Sequence, residues 1–252
     1  MVNTTDRLVV AVDGPSGSGK SSVSREAARR LGAAYLDTGA MYRAVTLACL
    51  DAGLDLTDQD AVAAFIPGSE VTVSTDPAQP QVVRIAGREV TEAIREPFVS
   101  ERVSAVATNP RAREILVGLQ RDVIASHRRI VAEGRDITTV VAPDADARVL
   151  LTASEEARLR RRGLQLGGTQ SEESLAAQVT GRDRKDSALV NFTTAADGVV
   201  TLDSSDLDFE QTIQALLDIV AAAVQGEGQA PQAQPQEDQH EPEQREPRQA
   251  QA

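Results

Sequence analysis

The sequence predicts a mixed α/β fold built on a parallel sheet, and three observations carry that prediction. Short apolar runs alternate with segments of helical periodicity from Met1 to Val224. The first run, Leu8–Val12, leads directly into a glycine-rich turn and then a helix. No internal repeat is superimposed on the alternation.

Leu8–Val12 is apolar at every position, as a strand buried on both faces requires. The turn Gly14-Pro15-Ser16-Gly17-Ser18-Gly19-Lys20-Ser21, with Ser22 following, satisfies G-x-x-x-x-G-K-[ST] without mismatch. Backbone N–H groups of such a loop converge on phosphate oxygens, and the helix N-terminus adds partial positive charge. Lys20 would reach the β/γ-phosphates and the Ser21 hydroxyl would sit on Mg²⁺. Lys20 is one of only two lysines, the other being Lys185. A nucleoside triphosphate is the expected ligand.

Further strands are predicted at Ala34–Leu36, Arg129–Ala132, Arg148–Leu151 and Val199–Leu202. Between the second and third lies a long insert, about Thr38 to Arg128, helical except for a β-like part, Val71–Ser74 and Val82–Ile85, closed by Ala86-Gly87-Arg88. A helix over Ser154–Arg162 is expected to stop at Gly163, and Gly167-Gly168-Thr169 to form a turn before a helix at Ser171–Arg184. Phe209, Ile213, Leu216, Leu217, Val220 and Val224 fall at helical spacing and predict a last amphipathic helix. From Gln225 to Ala252 the chain is rich in Gln, Pro and Glu, and is expected to be a disordered tail.

Composition narrows the function. In 252 residues, 41% hydrophobic content supports a real core, and 2% aromatic content makes that core aliphatic. A net charge of −12 argues against binding nucleic acid or an anionic membrane, so phosphate recognition must rest on local arginines. Cys49, the single cysteine, excludes disulfides and multi-cysteine metal sites and reads as a small buried hydrophobe. There is no basic-then-apolar leader and no apolar run near the roughly 20 residues a spanning helix needs, so the cytoplasm is the expected compartment.

Four constellations point to a second ligand beside the triphosphate. Asp37, Thr38 and Arg43 follow the second strand and face the C-terminal sheet edge, where open α/β sheets bind ligands. Glu133-Gly134-Arg135-Asp136 ends the third strand on the same edge. Arg158, Arg161 and Arg162 share a helix face, and Arg182, Asp183, Arg184, Lys185 and Asp186 close the next helix. Cationic groups at both ends of a helix–loop–helix suit a lid that excludes water and neutralises a transferring phosphoryl group.

Together these segments resemble the bacterial cytidylate kinases, from about Leu8 to Ala223. The resemblance rests on Gly14–Ser21, Asp37–Arg43, Ser104 with Pro110-Arg111-Ala112-Arg113, Glu133–Asp136 with Thr139-Val140-Val141, Pro143-Asp144-Ala145, the lid arginines and Ala196-Asp197-Gly198. It implies a three-layer P-loop kinase core over residues 1–224, a nucleoside-monophosphate-binding insert at about 38–128 and a mobile helical lid at about 158–189. It also implies a monomer that phosphorylates CMP, and dCMP, with ATP and Mg²⁺. By resemblance, Thr38, Arg113 and Asp136 read cytosine, Arg43 and Arg135 grip the acceptor phosphate, and Ser104, Arg182 and Asp186 hold the sugar hydroxyls. Lys20, Asp37, Arg135, Arg158 and Arg162 would serve the transfer itself. The chain departs from the family pattern at Leu189, where an arginine toward cytosine is usual, at Thr138, where glycine is usual, at Ala142, where an aromatic is usual, and at Asn191-Phe192-Thr193. A P-loop kinase with UMP or another small acceptor is the nearest alternative, and a nucleotide-sensing module a more distant one.

Overall fold

The computed structural model describes residues 7–165 and 194–226, with the side chains of residues 162, 164 and 165 excepted. Five parallel strands form the main sheet: β1 (Leu8–Asp13), β2 (Ala34–Asp37), β6 (Arg129–Gly134), β7 (Ala147–Thr152) and β8 (Val200–Asp203), in the order β2-β6-β1-β7-β8. Each expected core strand is present, and each runs one or two residues further toward the C-terminal edge. Pairing extends that far because the terminal polar residues Asp13, Asp37 and Glu133 are themselves buried.

Strand alternation decides which helices cover which face. Leu8, Val10 and Val12 point to the side closed by α1 (Lys20–Leu31) and α8 (Phe209–Val224), through Val23, Ala27, Ile213, Leu216 and Val220. Val9 and Ala11 point to the side closed by α2 (Thr38–Asp51) and α6 (Pro110–Ser126), through Met41, Val45, Cys49 and Leu116. The result is three layers, helix on sheet on helix. Cys49 is fully buried, as expected of a small hydrophobe, and burial pushes its thiol up to about 11.

The segment between β2 and β6 holds α2, α3 (Gln59–Phe65), α4 (Pro97–Ser100), α5 (Val103–Ala107) and α6, with a small antiparallel sheet of β3 (Val71–Val73), β4 (Val83–Ile85) and β5 (Arg88–Glu89). The turn Ala86-Gly87, both residues at positive φ, ends β4 and reverses it into the unexpected β5, while residues 74–82 join β3 to β4. A two-residue turn with positive φ matches the twist of a hairpin, whereas β5 is too short and polar to be seen by alternation. Helix α2 serves two cores. Ala40, Ala44, Leu47 and Ala48 pack on the small sheet, while Met41, Val45 and Cys49 face the large one.

Helix α7 (Glu155–Gln165) runs through Gly163 instead of ending there. An interior glycine costs a helix only about 1 kcal/mol relative to alanine, too little to stop it without a left-handed cap. The expected turn 167–169, the helix 171–184 and nearly all of the expected tail lie outside the described residues. Helix α8 matches its periodicity and opens with a capping box, Asp208 accepting from the Gln211 N–H and Gln211 Oε1 accepting from the Asp208 N–H. No helix among the described residues is long and apolar enough to cross a membrane.

Leu216 is fully buried between α8 and the sheet. Leu216→Ala is expected to destabilise the protein by about 2–5 kcal/mol, read as a lower urea midpoint at unchanged slope.

Candidate active site

A cleft of about 770 Å³ opens at the C-terminal edge of the main sheet, where β1, β2 and β6 end side by side. Its floor is the loop 14–19 between β1 and α1. Gly17 and Gly19 hold φ of 78° and 89°, a region that side chains other than glycine's enter at a cost. Gly19 is the N-cap of α1 and supplies no side chain, and the first turn of α1 has no acidic residue. The leading N–H groups of α1 therefore face the cleft without a side-chain cap, an arrangement suited to an anion.

Lys20 and Ser21 both turn toward Glu133 at the end of β6. The Ser21 hydroxyl donates to Glu133 Oε1 at 2.7 Å, and Lys20 Nζ lies 4.0 Å from Oε2 while donating to the Pro15 carbonyl at 3.4 Å. The Tyr35 hydroxyl donates weakly to the same Oε1 at 3.4 Å. Burial pushes the Glu133 carboxyl up to about 7, with the nearby Asp37 charge adding to the effect and Lys20 opposing it. The sequence motif included Glu133, but it was not among the expected ligand residues. Its importance comes from the register of β6 against β1, which primary sequence does not display.

Asp37 caps α2, accepting from the Ala40 N–H at 2.9 Å, and Thr38 donates its hydroxyl to the Glu133 carbonyl at 2.8 Å. Gly134 permits that approach, since a Cβ there would lie 2.5 Å from Thr38 Oγ1. One turn into α2, Arg43 faces the cleft, and burial lowers the pKa of its guanidinium despite the Asp37 charge. Arg135 Nη1 donates to the Gly14 carbonyl at 2.9 Å, tying the end of β6 to the glycine-rich loop. Asp136, buried, pairs with Arg113 Nη2 of α6 at 2.5 Å, and Arg113 also donates to the Ala107 carbonyl. Thus Lys20, Ser21, Asp37, Thr38, Arg43, Arg113, Arg135 and Asp136 all line one cleft.

Other expected residues fall elsewhere. Ser104 lines a shallow neighbouring pocket with Leu50, Leu54 and Arg102. The reason is helical rotation: Val103 and Ala107, four residues apart on α5, take the cleft-facing positions, and Ser104 lies about 100° around the helix. Arg158 does not line the cleft; its Nη1 donates to the Ser16 carbonyl at 3.1 Å, from behind the loop. Arg161, by contrast, does line the cleft; its Nη1 donates to the Ser18 carbonyl and its Nη2 to the carbonyls of Ser204 and Leu207. Arg182, Asp186 and the Leu189 departure lie outside the described residues, as does the side chain of Arg162.

Arg95, Tyr42, Arg160 and Phe209 also line the cleft, without having been expected there. Arg95 ends a single 3₁₀ turn, Ala93–Arg95, whose shortness leaves no periodic signal.

The buried Glu133 has a measurable consequence. Its carboxyl holds a proton more tightly in the folded than in the unfolded chain, so its contribution to stability falls as pH rises from about 4.5 to about 7. Glu133→Gln is expected to remove that part of the fall, checked by urea midpoints at about pH 5 and about pH 8 in both proteins.

Residues 10–222 match the family model described as cytidylate kinase. A cytidylate kinase of Nocardia farcinica is 49% identical over 222 residues, covering 86% of this chain and 95% of the relative. Cytidylate kinases of Cutibacterium acnes and Streptomyces avermitilis are 45% and 42% identical, covering 86% of this chain in each case and 97% and 94% of the relatives. With the glycine-rich loop, the Asp37–Arg43 turn and the Glu133–Asp136 strand end converging on a single cleft, the chain belongs to the cytidylate kinase family.

Proposed function

We propose that this protein transfers the γ-phosphoryl group of ATP to CMP, and to dCMP, as a cytoplasmic monomer. The observation that carries the reading is the Arg113–Asp136 pair, which faces the glycine-rich loop across the same cleft. A carboxylate and a guanidinium side by side present an acceptor and donors to a polar base edge, which a site for phosphate alone does not need. The relatives favour neither a kinase of broader acceptor choice nor a nucleotide-sensing module.

On the donor side, the N–H groups of Gly14–Ser22 receive the triphosphate and Lys20 moves from Glu133 to its β/γ oxygens. Arg158 and Arg161 brace this loop by holding the Ser16 and Ser18 carbonyls, which keeps the N–H groups of the cradle turned toward the phosphates. Arg160, on the cleft wall, supplies further positive charge there. On the acceptor side, Thr38, Arg113 and Asp136 read the base. Arg43 and Arg135, with Arg95 beside them, hold the acceptor phosphate. Arg182 and Asp186 are assigned the sugar hydroxyls by resemblance to the family, a role for which Ser104, on the neighbouring pocket, is not placed.

The residues present suit Mg²⁺. The Ser21 hydroxyl lies against the carboxylate of Glu133, with the Asp37 charge nearby, a group of hard oxygen donors in which burial already disfavours uncompensated negative charge. No cluster of three or more His, Cys, Asp or Glu side chains suited to a metal occurs among the described residues. Ser21 would hold the ion together with the nucleotide's own phosphates, and the ion would supply charge neutralisation. The attacking atom is a phosphate oxygen that is anionic near neutral pH, so no general base is needed. Catalysis then rests on alignment of two phosphates and on preorganised cations around them.

A coupled assay of ADP release with CMP, dCMP, UMP, AMP, GMP and shikimate tests the reading. Turnover is expected with CMP and dCMP far above the rest, and no preference for cytosine nucleotides overturns it. Lys20→Ala is expected to lower kcat by roughly a hundredfold or more, since it removes a cation from the transferring phosphate.

A further inference from the structure

Asp13 is the last residue of β1 and directly precedes the glycine-rich loop, yet its carboxylate points away from the cradle. It is 2% exposed and accepts three hydrogen bonds, all from one short segment. Oδ1 takes the Ile137 N–H at 2.8 Å, and Oδ2 takes the Thr138 N–H at 2.9 Å and the Thr138 hydroxyl at 2.6 Å. That segment opens a π-helical turn, Ile137–Val141, which begins immediately after Arg135 and Asp136.

The turn is held from two further sides. Arg148 of β7 donates to the Thr138 carbonyl at 3.4 Å, and Arg121 of α6 donates to the Val140 and Val141 carbonyls at 2.6 and 3.1 Å. Of the three donors to Asp13 named above, the Thr138 hydroxyl is the one that belongs to a side chain. A glycine there would leave Asp13 with the two backbone donors only.

We infer that Thr138 is a positioning residue for acceptor recognition, its hydroxyl bracing the turn against Asp13 so that the adjacent Asp136 is held at a fixed place in the cleft. The inference rests on the acceptor role proposed above for Asp136. Asp13 is anchored by β1, which pairs on both sides within the sheet, with β6 and with β7. The turn is irregular backbone, seated in the core by Ile137 and Val141 and tied at its start, next to Asp136, by the bonds to Asp13. Weakening the strut therefore loosens the turn and leaves the loop that receives ATP in place. Burial works against the Asp13 charge, and the Thr138 hydroxyl and the two N–H groups work to retain it, so each donor matters to keeping that carboxylate as an acceptor.

Thr138→Val replaces the hydroxyl by a methyl of similar size, Thr138→Ala removes it without adding bulk, and Thr138→Ser retains it. CMP is titrated calorimetrically into each full-length protein without ATP, and KM for CMP, KM for ATP and kcat are measured alongside. The expected result is a rise of about tenfold in both the Kd and the KM for CMP in the Val and Ala variants, the scale of losing one hydrogen bond to a charged acceptor. KM for ATP and kcat at saturating CMP should stay within about twofold, and the Ser variant should behave as wild type. Reading two variants guards against one of them failing to fold. Unchanged CMP affinity in either folded variant, CMP and ATP constants that rise together, or failure of Ser to restore binding each overturns the inference. A wild-type protein that neither binds nor phosphorylates CMP overturns the functional reading and this inference together, whereas wild-type binding matched by Thr138→Val overturns this inference alone.

Discussion

The parallel pairing of β1 with β6 is the constraint on which the site depends. Its register runs without interruption from Leu8 opposite Arg129 to Asp13 opposite Gly134, so the glycine-rich loop and the Glu133–Asp136 segment leave the sheet at the same level. Every close link between the two halves of the cleft follows: Lys20 and Ser21 to Glu133, Arg135 to Gly14, and Asp13 to Ile137 and Thr138. A slip of one residue would turn each β6 side chain to the opposite face. Ile130 and Ala132 would then lose the α2–α6 core and Glu133 would leave the cleft. The hydrophobic pattern that stabilises the sheet therefore also fixes the geometry of the site.

Charge is arranged locally in a molecule that is acidic overall. Buried carboxylates at Asp13, Asp37, Glu133 and Asp136 ring the strand ends, and each has defined donors. Lys20, Arg43, Arg113 and Arg135 stand among them, lining the same cleft. This balance keeps arginines and a lysine preorganised in a poorly hydrated place, where their attraction for phosphate exceeds what surface cations offer. Burial drives Glu133 toward protonation, with the Asp37 charge adding to the effect and Lys20, Ser21 and Arg135 opposing it.

Much of this was legible from the chain. The core strands, the last helix and the burial of Cys49 followed from periodicity and composition, because short-range hydrophobic pattern and burial are directly linked. Most of the expected cleft residues, from Lys20 to Asp136, do line one cavity, because strand ends of a parallel sheet share an edge. Ser104 and Arg158 escaped for a different reason. Which side of a helix faces a cleft depends on how that helix docks, and α5 presents Val103 and Ala107 while α7 sends Arg158 behind the loop. The small sheet was half seen: β3 and β4 carried apolar residues, but β5 is two exposed residues defined only by its partner.

By itself the sequence determined the fold class, the phosphate cradle at Gly14–Ser21 and the family, since these rest on local pattern and on motif identity along the chain. Tertiary structure alone decided that Glu133 sits between Lys20 and Ser21, that Arg95 and Tyr42 join the cleft, and that Asp13 serves the turn after Asp136 instead of the loop beside it. Those contacts join residues more than a hundred positions apart, sit on irregular turns, or, for Tyr42, depend on how a helix docks. They arise from strand register and helix docking, which are properties of the packed whole and leave no periodic trace in any one segment.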